Sequence, residues 1–414
     1  MPTATYSDLR IDRDRLLRRL GDLARCGARP DGGVSRLALT DADREGRDLV
    51  VDWMRELGLE VTVDRIGNLI GRRPGREQGP PVMTGSHIDT VATGGRYDGN
   101  YGVLAGLEVV DVLNRAGVIT RRPLAVGAFT GEEGSRFAPD MLGSQVFVGA
   151  FPLDEALAIR DAGGAVLGEE LARIGYAGDA PVGRTPVHAF VELHIEQGPV
   201  LEAEGITIGA VENVQGISWT EIVLTGQANH AGTTPMPLRR DPGFAAGGLA
   251  AFLRELTREI GGDQLATCGA IELDPNLINV IPARARVTAD LRNTDEAALQ
   301  RAEARLEEWL RSAARAEGLE LETRRLARFE PVAFDPEVQQ TILEVAGSLG
   351  YSTRTITSGA GHDAQMLARI CPTAMIFVPS IGGVSHNPAE DTAPEDLEAG
   401  ANVLLQTLLE LAEG

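Results

Sequence analysis

The chain has 414 residues, 60 of them acidic and 39 basic, giving a net charge of −21, with 43% hydrophobic and 24% charged residues. At roughly 150 residues per domain this describes a globular protein of two or three domains, and so negative a surface disfavours nucleic acid and anionic membranes as partners. All 39 basic residues are arginine, so the chain has no lysine for a Schiff base, a pyridoxal-phosphate mechanism, a Walker A loop or a kinase strand.

From the first residue, Met1 to Leu20 mixes acids with arginines and has no apolar stretch. It reads as an ordinary first helix and not as a secretion signal. Asp41 to Leu57 carries apolar residues at helical spacing (Leu49, Val50, Trp53, Met54, Leu57), with Gly58 as a stop. Val61 to Val63 and Asn68 to Gly71 read as short strands, and Pro81 to Thr84 leads into Gly85-Ser86-His87. Gly102 to Arg115 is an apolar helix, while Leu124 to Phe129 and Ala189 to Ile195 look like buried strands. This alternation predicts an α/β domain with a mixed, largely parallel sheet covered by helices.

From about Ile217 the pattern changes. Ile217 to Thr225 alternates as a strand, Pro242 to Ile260 is a helix, and Thr267 to Leu273 and Arg284 to Leu291 are strands. Asp295 to Glu317 is a long helix and Leu319 to Ala327 a strand. That β-α-β-β-α-β order is the ferredoxin-like split βαβ sandwich. The α/β pattern then resumes with a helix over Pro336 to Leu349, a strand over Thr373 to Val378 and a closing helix over Pro394 to Leu411. The expected organisation is therefore a larger α/β domain (residues 1–214 and 330–414) interrupted by a smaller α+β domain (residues 215–329). Exposed edges of the inserted sheet need protection, which predicts a homodimer formed through it. Cys26, Cys268 and Cys371 are scattered, with no CxxC spacing, and no apolar run approaches the roughly 18 residues of a membrane span. A cytoplasmic protein without disulfides is expected.

Five of the six histidines lie in Gly- and acid-rich segments after predicted strands, where open α/β sheets bind ligands. His87 and Asp89 are two apart and point the same way on an extended backbone, so that a carboxylate could hold the second ring nitrogen of the histidine. Asp98 sits among four glycines in Gly94-Gly95-Arg96-Tyr97-Asp98-Gly99-Asn100-Tyr101-Gly102, either as a functional carboxylate or as a helix cap. Glu132 and Glu133 follow a buried strand, where adjacent carboxylates cost repulsion unless a cation compensates. His194 lies in Glu192-Leu193-His194-Ile195-Glu196-Gln197-Gly198 and His386 in Val384-Ser385-His386-Asn387. Each segment alone reads equally well as a polar loop. Together they supply the oxygen and nitrogen ligands for two divalent cations sharing one carboxylate.

These segments resemble those of the hydantoinase/carbamoylase amidohydrolases within the peptidase M20 superfamily. The resemblance runs from about Leu16 to Leu411. It takes in Gly226-Gln227-Ala228-Asn229-His230-Ala231-Gly232-Thr233-Thr234-Pro235-Met236, Asn279-Val280-Ile281-Pro282, Asp290-Leu291-Arg292 and Ser358-Gly359-Ala360-Gly361-His362-Asp363-Ala364. It implies that Asp98 bridges two metals, with His87 and His194 completing one site and Glu133 and His386 the other. Glu132 would be the general base and Asp89 would orient His87. The inserted domain would be a lid and dimerisation domain. On it, His230 would polarise the scissile carbonyl in its own or the neighbouring subunit's site. Asn279 and Arg292 would hold a substrate carboxylate, and Gln197 with Gly359 and Gly361 would contact the substrate. His188 and His362 carry no assigned role.

The substrate implied is a small molecule bearing a carboxylate, foremost an N-carbamoyl-L-amino acid. Allantoate and β-ureidopropionate hydrolysis share nearly every motif. An acidic residue in place of His194 would have favoured an aminoacylase or dipeptidase, and retention of Glu132 argues against an inactive metal-binding scaffold. Zinc is the first candidate for the two ions, with manganese, cobalt and nickel as alternatives.

Overall fold

The computed structural model describes residues 6–183 and 186–414. The first helix runs over Arg13–Leu23, with the Asp12 side chain accepting from the Arg15 N–H as its cap; residues 1–5 of the expected N-terminal helix lie outside the described part. Contacts divide the chain into two compact units, Met1–Glu212 with Phe334–Gly414, and Asn213–Ala333. In chain order the described strands are β1 (Glu60–Val63), β2 (Leu69–Arg73), β3 (Val82–His87), β4 (Leu124–Phe129), β5 (Ala189–Ile195), β6 (Ile208–Val214), β7 (Gly216–Thr225), β8 (Asn229–His230), β9 (Leu265–Asp274), β10 (Val280–Ile281), β11 (Arg284–Asn293), β12 (Glu320–Phe329), β13 (Val332–Ala333), β14 (Thr353–Ser358) and β15 (Thr373–Val378).

In the larger unit the sheet order is β1-β2-β4-β3-β5-β15-β6, with β14 also on β6. β4, β3, β5 and β15 pair in parallel. The flanking strands β1, β2 and β6 pair antiparallel, so the sheet is mixed with a parallel centre. Every residue of the four central strands is buried, as two covered faces require. The helix Asn100–Arg115 contacts β3, β4 and β5, buried along nearly its whole length. It can lie so close because of Gly102, where an added Cβ would meet the Leu193 carbonyl at 2.4 Å. This packing stacks the carboxyl ends of the parallel strands at one edge, and the chain leaves there through polar turns.

The smaller unit is an antiparallel sheet in the order β12-β7-β11-β9, the arrangement of a ferredoxin-like fold. Helices Pro242–Ile260 and Glu296–Ala316, capped by Asp241 and Asp295, pack on it. Leu249, Leu253, Leu256, Leu299, Leu306 and Leu310 share a core with Ile222, Leu224 and Val287. Each buried leucine there contributes about 1.5–3 kcal/mol. β7 lies inside the sheet, so the edges left open are β12 and β9. A separate ribbon pairs β8 with β10, setting His230 opposite Val280. Arg292 stands on the interior strand β11.

Candidate active site

His87 is the last residue of β3 and His194 lies at the end of β5. The Nδ1 of His87 faces the Asp89 carbonyl at 2.9 Å, and that of His194 faces the Ile195 carbonyl at 2.9 Å. A carbonyl only accepts, so both Nδ1 atoms carry a proton, which leaves each Nε2 as the ligand atom once the ring is neutral. They converge on Asp98: His87 Nε2 is 3.6 Å and His194 Nε2 3.2 Å from its Oδ1. From the other side His386 Nε2 is 3.3 Å from Asp98 Oδ2 and 3.4 Å from Glu133 Oε2. Thus His87, Asp98 and His194 form one group that could hold a cation, and Asp98, Glu133 and His386 a second. Asp98 is not a helix cap; that place belongs to Gly99, with φ 68°. A Cβ on Gly99 would lie 2.4 Å from the His87 ring, so only glycine admits this approach.

The expected contact between the Asp89 carboxylate and His87 is corrected by the structure. Asp89 meets the imidazole through its backbone carbonyl. Its carboxylate turns instead to the next strand end, accepting from the backbone N–H groups of Gly131, Glu132 and Glu133 at 3.1, 3.3 and 3.3 Å. One residue thereby ties the His87 turn to the Glu132-Glu133 turn. Glu132 Oε2 stands 3.4 Å from His87 Nε2 and belongs to neither cation group.

Gln197 has φ 58°, a strained conformation for a non-glycine residue. It is held by the Ser380 hydroxyl and aims its side-chain NH2 at Asp98 Oδ2, 3.0 Å away. Its Oε1 is buried and has no partner among the described residues. Gly359 and Gly361 lie in the turn after β14, closed by the Ser358 hydroxyl. Glu192, His194 and His362 form a third possible cation group, but both Glu192 oxygens already accept, from the Ser86 hydroxyl (2.6 Å) and the Ala364 N–H (2.7 Å). His362 stacks edge-on to His194, ring centres 4.6 Å apart, with its Nε2 on the Ser358 hydroxyl; this group buttresses His194. His188 joins none of these groups.

In the smaller unit, His230 Nδ1 accepts from the N–H groups of Gly232 (3.0 Å) and Thr233 (3.1 Å). Its proton therefore sits on Nε2 of an exposed ring, ready to donate. The Asn279 carbonyl accepts from the Ala231 N–H at 3.0 Å, so Asn279 and His230 are neighbours. The Arg292 guanidinium is gripped by Asp290, with contacts of 2.9 to 3.1 Å, and lies 5.9 Å from the Trp219 ring centre.

The profile of peptidase family M20/M25/M40 matches residues 83–410. The chain belongs to this family. A relative from Rhizobium meliloti named N-carbamoyl-L-amino-acid amidohydrolase is 43% identical, covering 98% of this chain and 97% of that protein. The allantoate amidohydrolase of Bacillus subtilis is 37% identical, covering 94% of this chain and 95% of that one. The crystal structure of a hydantoinase/carbamoylase family amidase from Burkholderia multivorans superposes with a TM-score of 0.95 at 49% identity, covering 98% and 99% of the two chains. The chain is thus an M20 protein of the hydantoinase/carbamoylase group. Among the described residues of this M20 chain no helix is long and apolar enough to cross a membrane.

The charges of the M20 site suit cations. Burial disfavours a charged His87, yet Glu132, Asp98 and Asp89 outweigh it and raise its pKa well above the usual value. Burial also pushes Glu132 well up, and raises Glu133. Asp98 goes the other way: its three histidine partners overcome burial and hold it well below the carboxylate range. Glu390 escaped the sequence reading, because nothing in its local spacing separates it from Asp391. It is buried and accepts from the N–H groups of Tyr97 (3.0 Å) and Asp98 (3.2 Å), fixing the loop that carries Asp98.

A pH effect follows for protein stripped of metal. The hydrogen bond to Asp98 raises His386 from 6.5 to about 9. A group raised by folding stabilises fully below its unfolded pKa, and that contribution is lost as pH rises through the folded value. The Tm of chelator-treated protein is expected to fall between pH 7 and about 9.5, and adding cation near pH 8 should release protons. Calorimetry and a pH-stat measure the two; a flat Tm with no proton release would contradict the assignment.

Proposed function

We propose that this chain hydrolyses the carbamoyl C–N bond of N-carbamoyl-L-amino acids, yielding amino acid, ammonia and carbon dioxide, with two divalent cations per subunit. One observation carries the reading: the two Asp98 oxygens face separate His-containing groups, while Glu132 stands beside them and belongs to neither. The residues fit such a pair of ions in donor chemistry, in the Nε2 atoms that His87 and His194 turn toward Asp98 while their Nδ1 atoms are tied to backbone carbonyls, and in the close approach that Gly99 permits. His and carboxylate donors suit zinc first, then manganese, cobalt or nickel. The name borne by the Rhizobium meliloti relative supports the substrate class.

When bound, the two ions polarise the carbamoyl oxygen and lower the pKa of the attacking water. Glu132 takes the water proton and delivers it to the leaving nitrogen. Asp89 holds the turn that presents Glu132. His230 donates its Nε2–H where the tetrahedral oxyanion develops, in its own or a partner subunit's site. The free Gln197 Oε1 accepts from the carbamoyl NH2, beside the Gly359–Gly361 turn. Asn279 and Arg292 hold the substrate carboxylate, which keeps the inserted unit in its role as lid. The same unit makes the homodimer through β12 or β9, checked by sedimentation: a fully active monomer would remove both the dimer and any role for His230 in trans.

The test is ammonia release by stripped enzyme resupplied with each metal, on N-carbamoyl-L-amino acids, N-carbamoyl-β-alanine and allantoate. Turnover of N-carbamoyl-L-amino acids above the others supports the proposal. Preference for allantoate would move the chain to the second reading, which the Bacillus subtilis relative favours.

The carboxylate clamp gives a separate expectation. Lysine keeps the charge of Arg292 but loses its two-pronged geometry. Charge-assisted hydrogen bonds contribute about 1.5–3 kcal/mol each, so Arg292→Lys should lower kcat/KM at least about tenfold. The loss should vanish for substrates amidated at that carboxylate. An equal fall for acid and amide substrates would make Arg292 structural.

A further inference from the structure

Arg36 is among the largest side chains with no exposure (0%). No carboxylate pairs with it among the described residues. Its guanidinium donates only to neutral oxygens. Nε reaches the Ile88 carbonyl at 2.7 Å. One NH2 group reaches the carbonyls of Leu23 (2.9 Å) and Cys26 (2.7 Å), and the other reaches Asn100 Oδ1 at 2.6 Å. A buried cation with no carboxylate in hydrogen-bonding contact costs free energy, so its place here calls for a reason.

The partners supply one. Ile88 lies between His87 and Asp89, and Asn100 lies two residues after Asp98. The backbone of Arg36 also exchanges hydrogen bonds with Thr90: its N–H donates to the Thr90 hydroxyl at 2.8 Å, and its carbonyl accepts from the Thr90 N–H at 2.9 Å. Arg36 therefore grips the turn His87-Ile88-Asp89-Thr90 at two points and the turn Asp98-Gly99-Asn100 at a third. Through the Asp89 carboxylate this reaches the Glu132-Glu133 turn as well. The remaining two donors anchor the assembly to the end of the helix Arg13–Leu23.

We propose that Arg36 is a positioning residue for the cation centre, setting the distance between the turn that carries His87 and the turn that carries Asp98. The proposal rests on the metal reading above. A planar fork with donors in several directions spans these acceptors; a lysine ammonium is a single point and reaches only some of them. There is no slack, because a Cβ on Gly46 would already meet Arg36 Cδ at 2.9 Å.

The experiment measures divalent-cation affinity by chelator competition, with zinc and manganese, in wild type, Arg36→Lys and Asn100→Ala. Folding is followed by circular dichroism and Tm. Groups that orient metal ligands are worth 10–100-fold in affinity. Arg36→Lys is expected to bind cation at least about tenfold more weakly, with lower kcat, little change in KM and partial recovery at raised metal. Asn100→Ala removes one acceptor and should weaken binding in the same direction by a smaller factor. If Arg36→Lys fails to fold, Asn100→Ala decides alone. Cation affinity equal to wild type in the folded variants, with only Tm lowered, would make Arg36 structural and overturn the proposal. Wild type that binds no cation would instead overturn the metal reading, so the two failures are distinguishable.

Discussion

Glu132→Gln is expected to abolish turnover while leaving the metal in place. Glutamine keeps the size and hydrogen-bonding shape of the side chain but cannot accept a proton. Glu132 stands 3.4 Å from His87 Nε2 and outside both cation groups, so its loss removes chemistry and spares ligation. General-base catalysis contributes about 10²–10⁴-fold, and kcat should fall within that range. Burial, which pushes the Glu132 carboxyl up, also makes it a stronger base than an exposed glutamate. Steady-state kinetics and elemental analysis of the same sample provide the check. Metal lost in step with activity would make Glu132 a ligand and overturn the assignment.

The second large effect is expected at Asp98. Its two oxygens serve two groups, Oδ1 toward His194 at 3.2 Å and Oδ2 toward His386 at 3.3 Å. Asparagine is nearly the same shape, but one of its terminal atoms is a donor with no lone pair to offer, and the shared negative charge is gone. One group must lose its anionic donor and the other is weakened. Asp98→Asn should therefore retain fewer ions per chain after gel filtration and lose activity by several orders of magnitude, the scale of metal-assisted water activation. Cation content and kcat close to wild type would show that Asp98 is not the shared ligand. The fold should survive, because Gln197 Nε2, now 3.0 Å from Oδ2, can still donate to the amide oxygen.

How much of this was legible before folding depends on the range of the interaction. β4 and β15 carry an unbroken apolar run, and the helix Pro242–Ile260 is announced by an Asp-Pro cap and closed by glycine; these signals are local, and their bounds agree with the structure. The strand-end histidines and carboxylates were also visible, since each sits in a short Gly-rich segment. The β-α-β-β-α-β order named the fold of the smaller unit, but not that β7 would lie inside the sheet. β6 and β14 were missed: β14 alternates only weakly between partly buried and buried positions, and β6 switches from buried to exposed along its length, so neither shows a strand period.

The site shows the same division. Sequence alone determined which residue types were available: no lysine, five histidines beside acids and glycines, and a Glu-Glu pair after a buried strand. Only the tertiary structure decided what those groups do to one another. Asp89 is two residues from His87, and spacing suggested a carboxylate-to-imidazole contact. In the folded chain the backbone carbonyl meets the ring, and the carboxylate is drawn to three N–H groups more than forty residues away. Glu390 and Arg36 stand 292 and 64 residues from the loop residues Asp98 and Asn100 that they hold. Periodicity and motifs report which face a side chain turns to, because they follow from backbone geometry over a few residues. Hydrogen bonds between turns are chosen by the packing of the sheet beneath them, where a buried donor or acceptor takes the partner that folding places within about 3 Å, however distant in the chain.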